Sequence, residues 1–205
     1  MVVVRKHFSR PQCSAIFERL RVGVVCLLVM TAPLIGLPAL AQEIDRTKEA
    51  QVKAGYLMNF LRYTDFPVAR DASPRTSFHI MVIGDPALGQ ALQAAVRDRI
   101  TISSRTLRVS SQDTDARIRE PDGSDADLVF CSHDQIESVP GIIHVLHDRP
   151  VLTVSDGPGF NDAGGMIGLR IEGSRMVFDA NPDAIHRAGL KVSGKVLKLA
   201  RRLKV

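Results

Sequence analysis

Residues 151–181 read VLTVSDGPGFNDAGGMIGLRIEGSRMVFDAN, and this stretch decides the fold class. Val151-Leu152-Thr153-Val154 is a short β-branched run, which reads as a strand. Ser155-Asp156-Gly157-Pro158-Gly159 is a turn-forming cluster that ends it. Phe160 and Gly164-Gly165 follow. Met166–Ile171 and Met176–Ala180 are two apolar runs separated by Glu172-Gly173-Ser174-Arg175, which predicts a hairpin with a glycine turn. Asn181-Pro182 then reads as a helix start, with Asn as N-cap and Pro at the first helical position.

Working outward towards the C-terminus, Ile185, Gly189, Val192, Val196, Leu199 and Leu203 recur at spacings of four and three. This predicts one long helix from Pro182 towards Lys204. Lys195, Lys198, Arg201, Arg202 and Lys204 crowd its end, where the helix dipole favours positive charge.

Towards the N-terminus, Phe78–Ile83, Thr106–Val109 and Asp127–Cys131 read as strands. Ala87–Arg97 reads as a short helix after the turn Gly84-Asp85-Pro86. Gln135–Leu146 reads as a poor helix interrupted by Pro140-Gly141. Asp71–Ser77 and Ser110–Asp125 read as polar surface segments. Glu43–Asp65 reads as the first helix, with Val52, Tyr56, Phe60 and Tyr63 on one face, stopped at Phe66-Pro67. Strands alternating with helices predict an α/β fold. The expected domain is a single mixed β-sheet flanked by helices, a sandwich with a C-terminal hairpin and a long C-terminal helix.

The first 41 residues read as a secretory signal peptide. Arg5, Lys6, Arg10, Arg19 and Arg21 form a basic start, Val22–Leu37 is mostly apolar, and Ala39-Leu40-Ala41 is a cleavage site. Pro33, Gly36 and Pro38 shorten the apolar run below a membrane span. Five of the 27 Lys and Arg residues and one of the 22 Asp and Glu residues lie there. The expected exported domain, residues 42–205, therefore carries a near-neutral charge of +1. The nucleic-acid reading of a basic chain disappears with the leader. Of three cysteines only Cys131 remains, so no internal disulfide is expected. Its apolar strand predicts a buried thiol.

Motifs for chemistry are weak. The glycines at 157, 159, 164 and 165 lead into a strand, and neither phosphate-loop nor dinucleotide spacing is present. Ser155 lacks the flanking glycines of a nucleophile elbow. A hydrolase built on Ser155 or Cys131 with a distant His stays open as a remote alternative. Cys131-x-His133 and His144-x-x-His147 do not complete a zinc pattern, and Asp156, Asp162 and Asp179 lack calcium-loop spacing. No catalytic residue, metal or cofactor is expected.

The ordered set of segments resembles the YfiR-like family of periplasmic regulators. The resemblance rests on Val151–Asp156, Gly159-Phe160 and Gly164–Ile167, and on the hairpin ending in Asn181. It extends to the first helix, Lys53–Phe60 with Phe66-Pro67, and to the last segment, Ala188–Ser193 and Val196–Ala200. It implies structural roles for Asn59, Phe60, Pro67, Ser155, Gly164, Gly165, Met166, Asn181, Leu190 and Ser193. It also implies a homodimer that represses an inner-membrane diguanylate cyclase, or another membrane sensor, and is itself sequestered by an outer-membrane lipoprotein. Control through paired cysteines, common in the family, is not expected with Cys131 alone. A small-molecule sensor working with a histidine kinase is the second expectation. Asp156, Phe160, Arg170, Glu172 and Arg175 are the candidate partner- or ligand-binding residues.

Overall fold

The computed structural model describes residues 37–67, 76–112, 126–135 and 139–204. The leader before residue 37 and most of the two expected polar segments, 71–75 and 113–125, lie outside the described residues. The chain divides into residues 1–45 and 46–205. The described part of the first unit is the opening of helix α1 (Leu37–Arg62), and the second holds everything else.

Among the described residues, eight strands follow the order of the sequence. They are β1 (Thr64–Asp65), β2 (Ser77–Ile83), β3 (Thr106–Gln112), β4 (Leu128–Cys131), β5 (Leu152–Ser155), β6 (Ile167–Glu172), β7 (Arg175–Ala180) and β8 (Lys191–Val192). Helices α2 (Pro86–Arg97), α3 (Val139–Leu146), α4 (Pro182–Arg187) and α5 (Gly194–Leu197) lie between or after them. The main sheet has the order β3-β2-β4-β5-β6-β7. Every neighbouring pair is parallel except the hairpin β6–β7. A small antiparallel pair, β1–β8, ties the end of α1 to the C-terminal region.

The central strands β2, β4 and β5 are buried almost end to end because helices cover both faces. Phe78, Ile80, Val82, Leu128, Phe130, Leu152 and Val154 face α1, α2, α4 and α5. Met81, Ile83, Val129 and Cys131 face α3 and Phe160. The alternation along each strand assigns these two sets to opposite cores.

The expected hairpin is present, with Gly173 at φ +61° in its turn, a conformation that favours glycine. Asn181 caps α4 by accepting from Ala184 N at 3.1 Å, with Pro182 at the helix start. Asp85 caps α2 in the same way through Leu88 N at 2.9 Å.

Two expectations are corrected. There is no long C-terminal helix: α4 stops at Arg187, Gly189 turns at φ +72°, Leu190 is buried, and β8 precedes the four-residue α5 capped by Ser193. The tail then joins the sheet, with Arg201 N donating to Phe178 O, Ala180 N to Arg202 O and Lys204 N to Ala180 O. Of the expected apolar stripe, Ile185 and Val196 are buried, while Leu199 and Leu203 are exposed. Backbone groups of an edge strand need partners, and the tail supplies them where a helix could not.

The second correction concerns α1. It begins earlier and ends at Arg62, and its buried face is Ala50, Lys53, Ala54, Leu57, Phe60 and Leu61. Val52 and Tyr63, expected inside, are exposed. Phe60 meets Phe178 edge-to-face at 5.2 Å, and Tyr56 donates to Met176 O at 2.8 Å. Asn59 and Pro67 are exposed.

Candidate functional site

In an open parallel sheet, ligands gather outside the carboxyl ends of the strands, where the strand order reverses. Here the chain runs from β2 out to β3 and returns across β2 to β4. The pairings Ile83↔Cys131 and Cys131↔Ser155 set the ends of β2, β4 and β5 level. The next residues, Asp85, His133 and Asp156, form a rim.

A lysine from α1 reaches that rim. Lys53 is only 6% exposed, and its Nζ lies 2.6 Å from Asp156, 2.8 Å from Glu49 and 3.4 Å from Asp85. The Nζ also lies over the Phe130 ring, 5.8 Å from its centroid. Burial opposes its charge, but the hydrogen bond and attraction to Asp156, then Glu49 and Asp85, raise its pKa above the ordinary lysine value. Asp156 also accepts from His133 N at 2.6 Å. The cluster locks α1 to the ends of β2, β4 and β5.

Asp156 opens a second feature. Loop 157–162, residues 168–170 of β6, residues 179–180 of β7 and residues 202–204 of the tail enclose a cavity of about 520 Å³. The loop is built tightly. Ser155 Oγ accepts from Gly157 N at 2.9 Å, and Asn161 Nδ2 donates to Met166 O at 3.1 Å. A Cβ at Gly165 would run into the Phe160 ring, and one at Gly168 into Asn161 Oδ1. Gly164 takes φ +101°. Lys204 Nζ donates to the carbonyls of Asn161 and Asp162, both at 3.1 Å, and holds the tail to the loop. On the hairpin side, Arg170 grips Asp179 with two bonds of 3.2 and 3.1 Å and also pairs with Glu172. Asp179, then Glu172, raise the Arg170 pKa.

Of the five candidate residues, Asp156, Phe160 and Arg170 line this cavity. Phe160 also packs in the core under α3, so it is not a surface contact. Glu172 lies beyond the cavity, between Arg170 and Arg201. Arg175 sits exposed at the hairpin end, away from it. Met166 and Asn181 are buried behind the loop, with Asn181 Nδ2 donating to Asn161 O.

Sequence reasoning missed Lys53, Asp85, Arg202 and Lys204 as site residues. Lys53 had a signal: it lies within the i, i+3, i+4 series of Ala50, Ala54, Leu57 and Leu61, where a lysine demands a buried partner. Asp85 reads as no more than a turn and cap, and the tail residues were assigned to a helix end.

Neither side chain proposed for a hydrolase is poised for attack. Ser155 is fully buried and already bonded to Gly157 N. Burial, with the nearby Asp156 charge, pushes the Cys131 thiol up to about 11. His144 and His147 stack at 6.2 Å on the exposed side of α3, and no cluster of metal-ligating side chains forms among the described residues. No helix among the described residues is long and apolar enough to cross a membrane.

The family model described as YfiR/HmsC-like matches residues 50–201, well over half of the chain. The chain belongs to that family. Among solved structures, the fold is similar to a conserved domain protein from Vibrio cholerae O1 biovar El Tor strain N16961. The TM-score is 0.50 at 11% identity, covering 76% of this chain and 60% of that one. At that identity the likeness concerns the fold alone.

Proposed function

From the premise of YfiR/HmsC-like membership, we propose that this chain is a periplasmic repressor of an inner-membrane diguanylate cyclase. It acts by binding the enzyme's periplasmic sensor region. The observation that carries the reading is the family match over residues 50–201. The buried state of Ser155 and Cys131 favours binding over covalent chemistry. The proposed protein works as a homodimer, is exported with cleavage after Ala41, and is released from its target when an outer-membrane lipoprotein sequesters it. The polar end of the hairpin, Glu172 and Arg175, is the first surface to test for the partner.

Deleting the gene raises cyclic-di-GMP and surface attachment, measured by nucleotide extraction and a biofilm assay. Unchanged levels in both assays would remove the cyclase from the proposal. The cavity beside Asp156 favours a second reading, a small-molecule sensor that reports to a histidine kinase. In that case the deletion changes kinase output and leaves cyclic-di-GMP alone.

A further inference from the structure

We propose that the cavity between the 157–162 loop and the hairpin binds a small organic monoanion, a carboxylate with an apolar body, whose acid group docks on Arg202. The space, about 520 Å³, is of the size that encloses small molecules. The charges around it decide the ligand's sign. Each carboxylate on the wall already has a cation. Asp156 is held by Lys53 at 2.6 Å, Asp179 by Arg170 at 3.1 Å and Asp162 by Lys204 at 3.3 Å. Arg202 also lines the cavity, and its guanidinium has no ion pair or hydrogen bond among the described residues.

Its backbone is nevertheless fixed. Ala180 N donates to Arg202 O at 2.9 Å, and the flanking residues bond to Phe178 O and Ala180 O. The side chain therefore starts from a defined point on the rim. A planar guanidinium with free donors matches a carboxylate bidentately. Arg202 is the lining cation without a partner of its own among the described residues, and it offers a seat for one negative charge. A dianion would set its second charge against Asp156, Asp162 and Asp179. A cationic ligand would have to compete with lysine or arginine for each carboxylate. Pro158, Leu169 and Leu203 give the wall its apolar part, and Leu203 leaves half its surface uncovered until a ligand body lies against it.

This inference rests on the cavity and not on the regulatory reading, so the two fail separately. Titration calorimetry and thermal shift on the purified full chain, with hexanoate, benzoate and phenylacetate, are the test. Their amides and inorganic phosphate serve as controls. At least one acid is expected to bind and raise Tm, with its amide and phosphate at least about tenfold weaker. Arg202→Gln, an exposed change, loses that binding at unchanged Tm of the free protein. Arg175→Gln, outside the cavity, keeps it. The proposal is overturned if no acid binds below about 10 mM, if an amide or phosphate binds equally well, or if Arg202→Gln binds like the parent.

Discussion

The two halves of the sheet differ in how they are covered. Strands β2, β4 and β5 are parallel and packed on both faces, so nearly every residue from Phe78 to Ile83, Leu128 to Cys131 and Leu152 to Ser155 is buried. The hairpin β6–β7 is packed on one face by Phe60 and Tyr56, through Phe178. Its other face carries Arg170, Glu172 and Asp179, all half-buried. The parallel half is scaffold, and polar side chains collect where coverage stops. The cavity lies at that boundary because a loop and a tail, rather than a helix, close over the hairpin.

Breaking the scaffold gives the largest effect. Phe130→Ala, at a fully buried position in the middle strand, costs about 3–5 kcal/mol in urea unfolding. A loss below about 1 kcal/mol would mean the parallel half is not the stability core.

The tie at the rim comes next. Lys53→Met leaves Asp156 and Asp85 without their buried cation and costs about 2–4 kcal/mol. The cost falls below that of a fully buried pair because both carboxylates keep some contact with water. Adding Asp156→Asn to Lys53→Met restores part of the loss. Strict additivity in the double-mutant cycle would show that the two side chains are not coupled.

Alkaline pH probes the same region through Cys131. Its pKa in the fold is about 11, against an ordinary value of 9.0. Between those values the folded state holds a proton that the unfolded state has released, so stability falls as pH rises. The expected loss is about 2 kcal/mol by pH 11, and Cys131→Ala flattens that part of the profile. Lys53, also raised, adds a loss of the same sign at higher pH. A thiol reagent at pH 8 reacts only after denaturant is added, and rapid labelling of the native protein would contradict the burial. The smallest effect belongs to the hairpin end, where Arg175→Ala changes stability by no more than about 0.5 kcal/mol. A larger loss would show that the exposed face is as structural as the covered one.

These contrasts track what was readable in the chain. The parallel strands and the hairpin are legible because residue alternation and turn chemistry act locally: β-branched runs, Gly173 in the turn, Asn181-Pro182 at the helix start. The hairpin candidates were legible as polar residues in an apolar unit, and three of the five candidates reach the cavity. The C-terminal helix was misread because a stripe at helical spacing does not reveal that Gly189 turns the chain and that the β7 edge recruits residues 201–204. Lys53 was passed over because its partner Asp156 lies 103 residues away.

From sequence alone come the α/β class, the six strands of the main sheet, the hairpin, the capped start of α4 and the resemblance to a regulatory family. Each depends on periodicity, turn residues or an ordered set of segments, all written along the chain. Only the tertiary structure decided that Lys53 plugs the ends of β2, β4 and β5, that the tail becomes an edge partner, and that Arg202 lines a cavity with no ion pair among the described residues. Those outcomes depend on which distant segments the fold brings within a few ångströms. Charge pairing acts over that distance in space, whatever the separation in sequence.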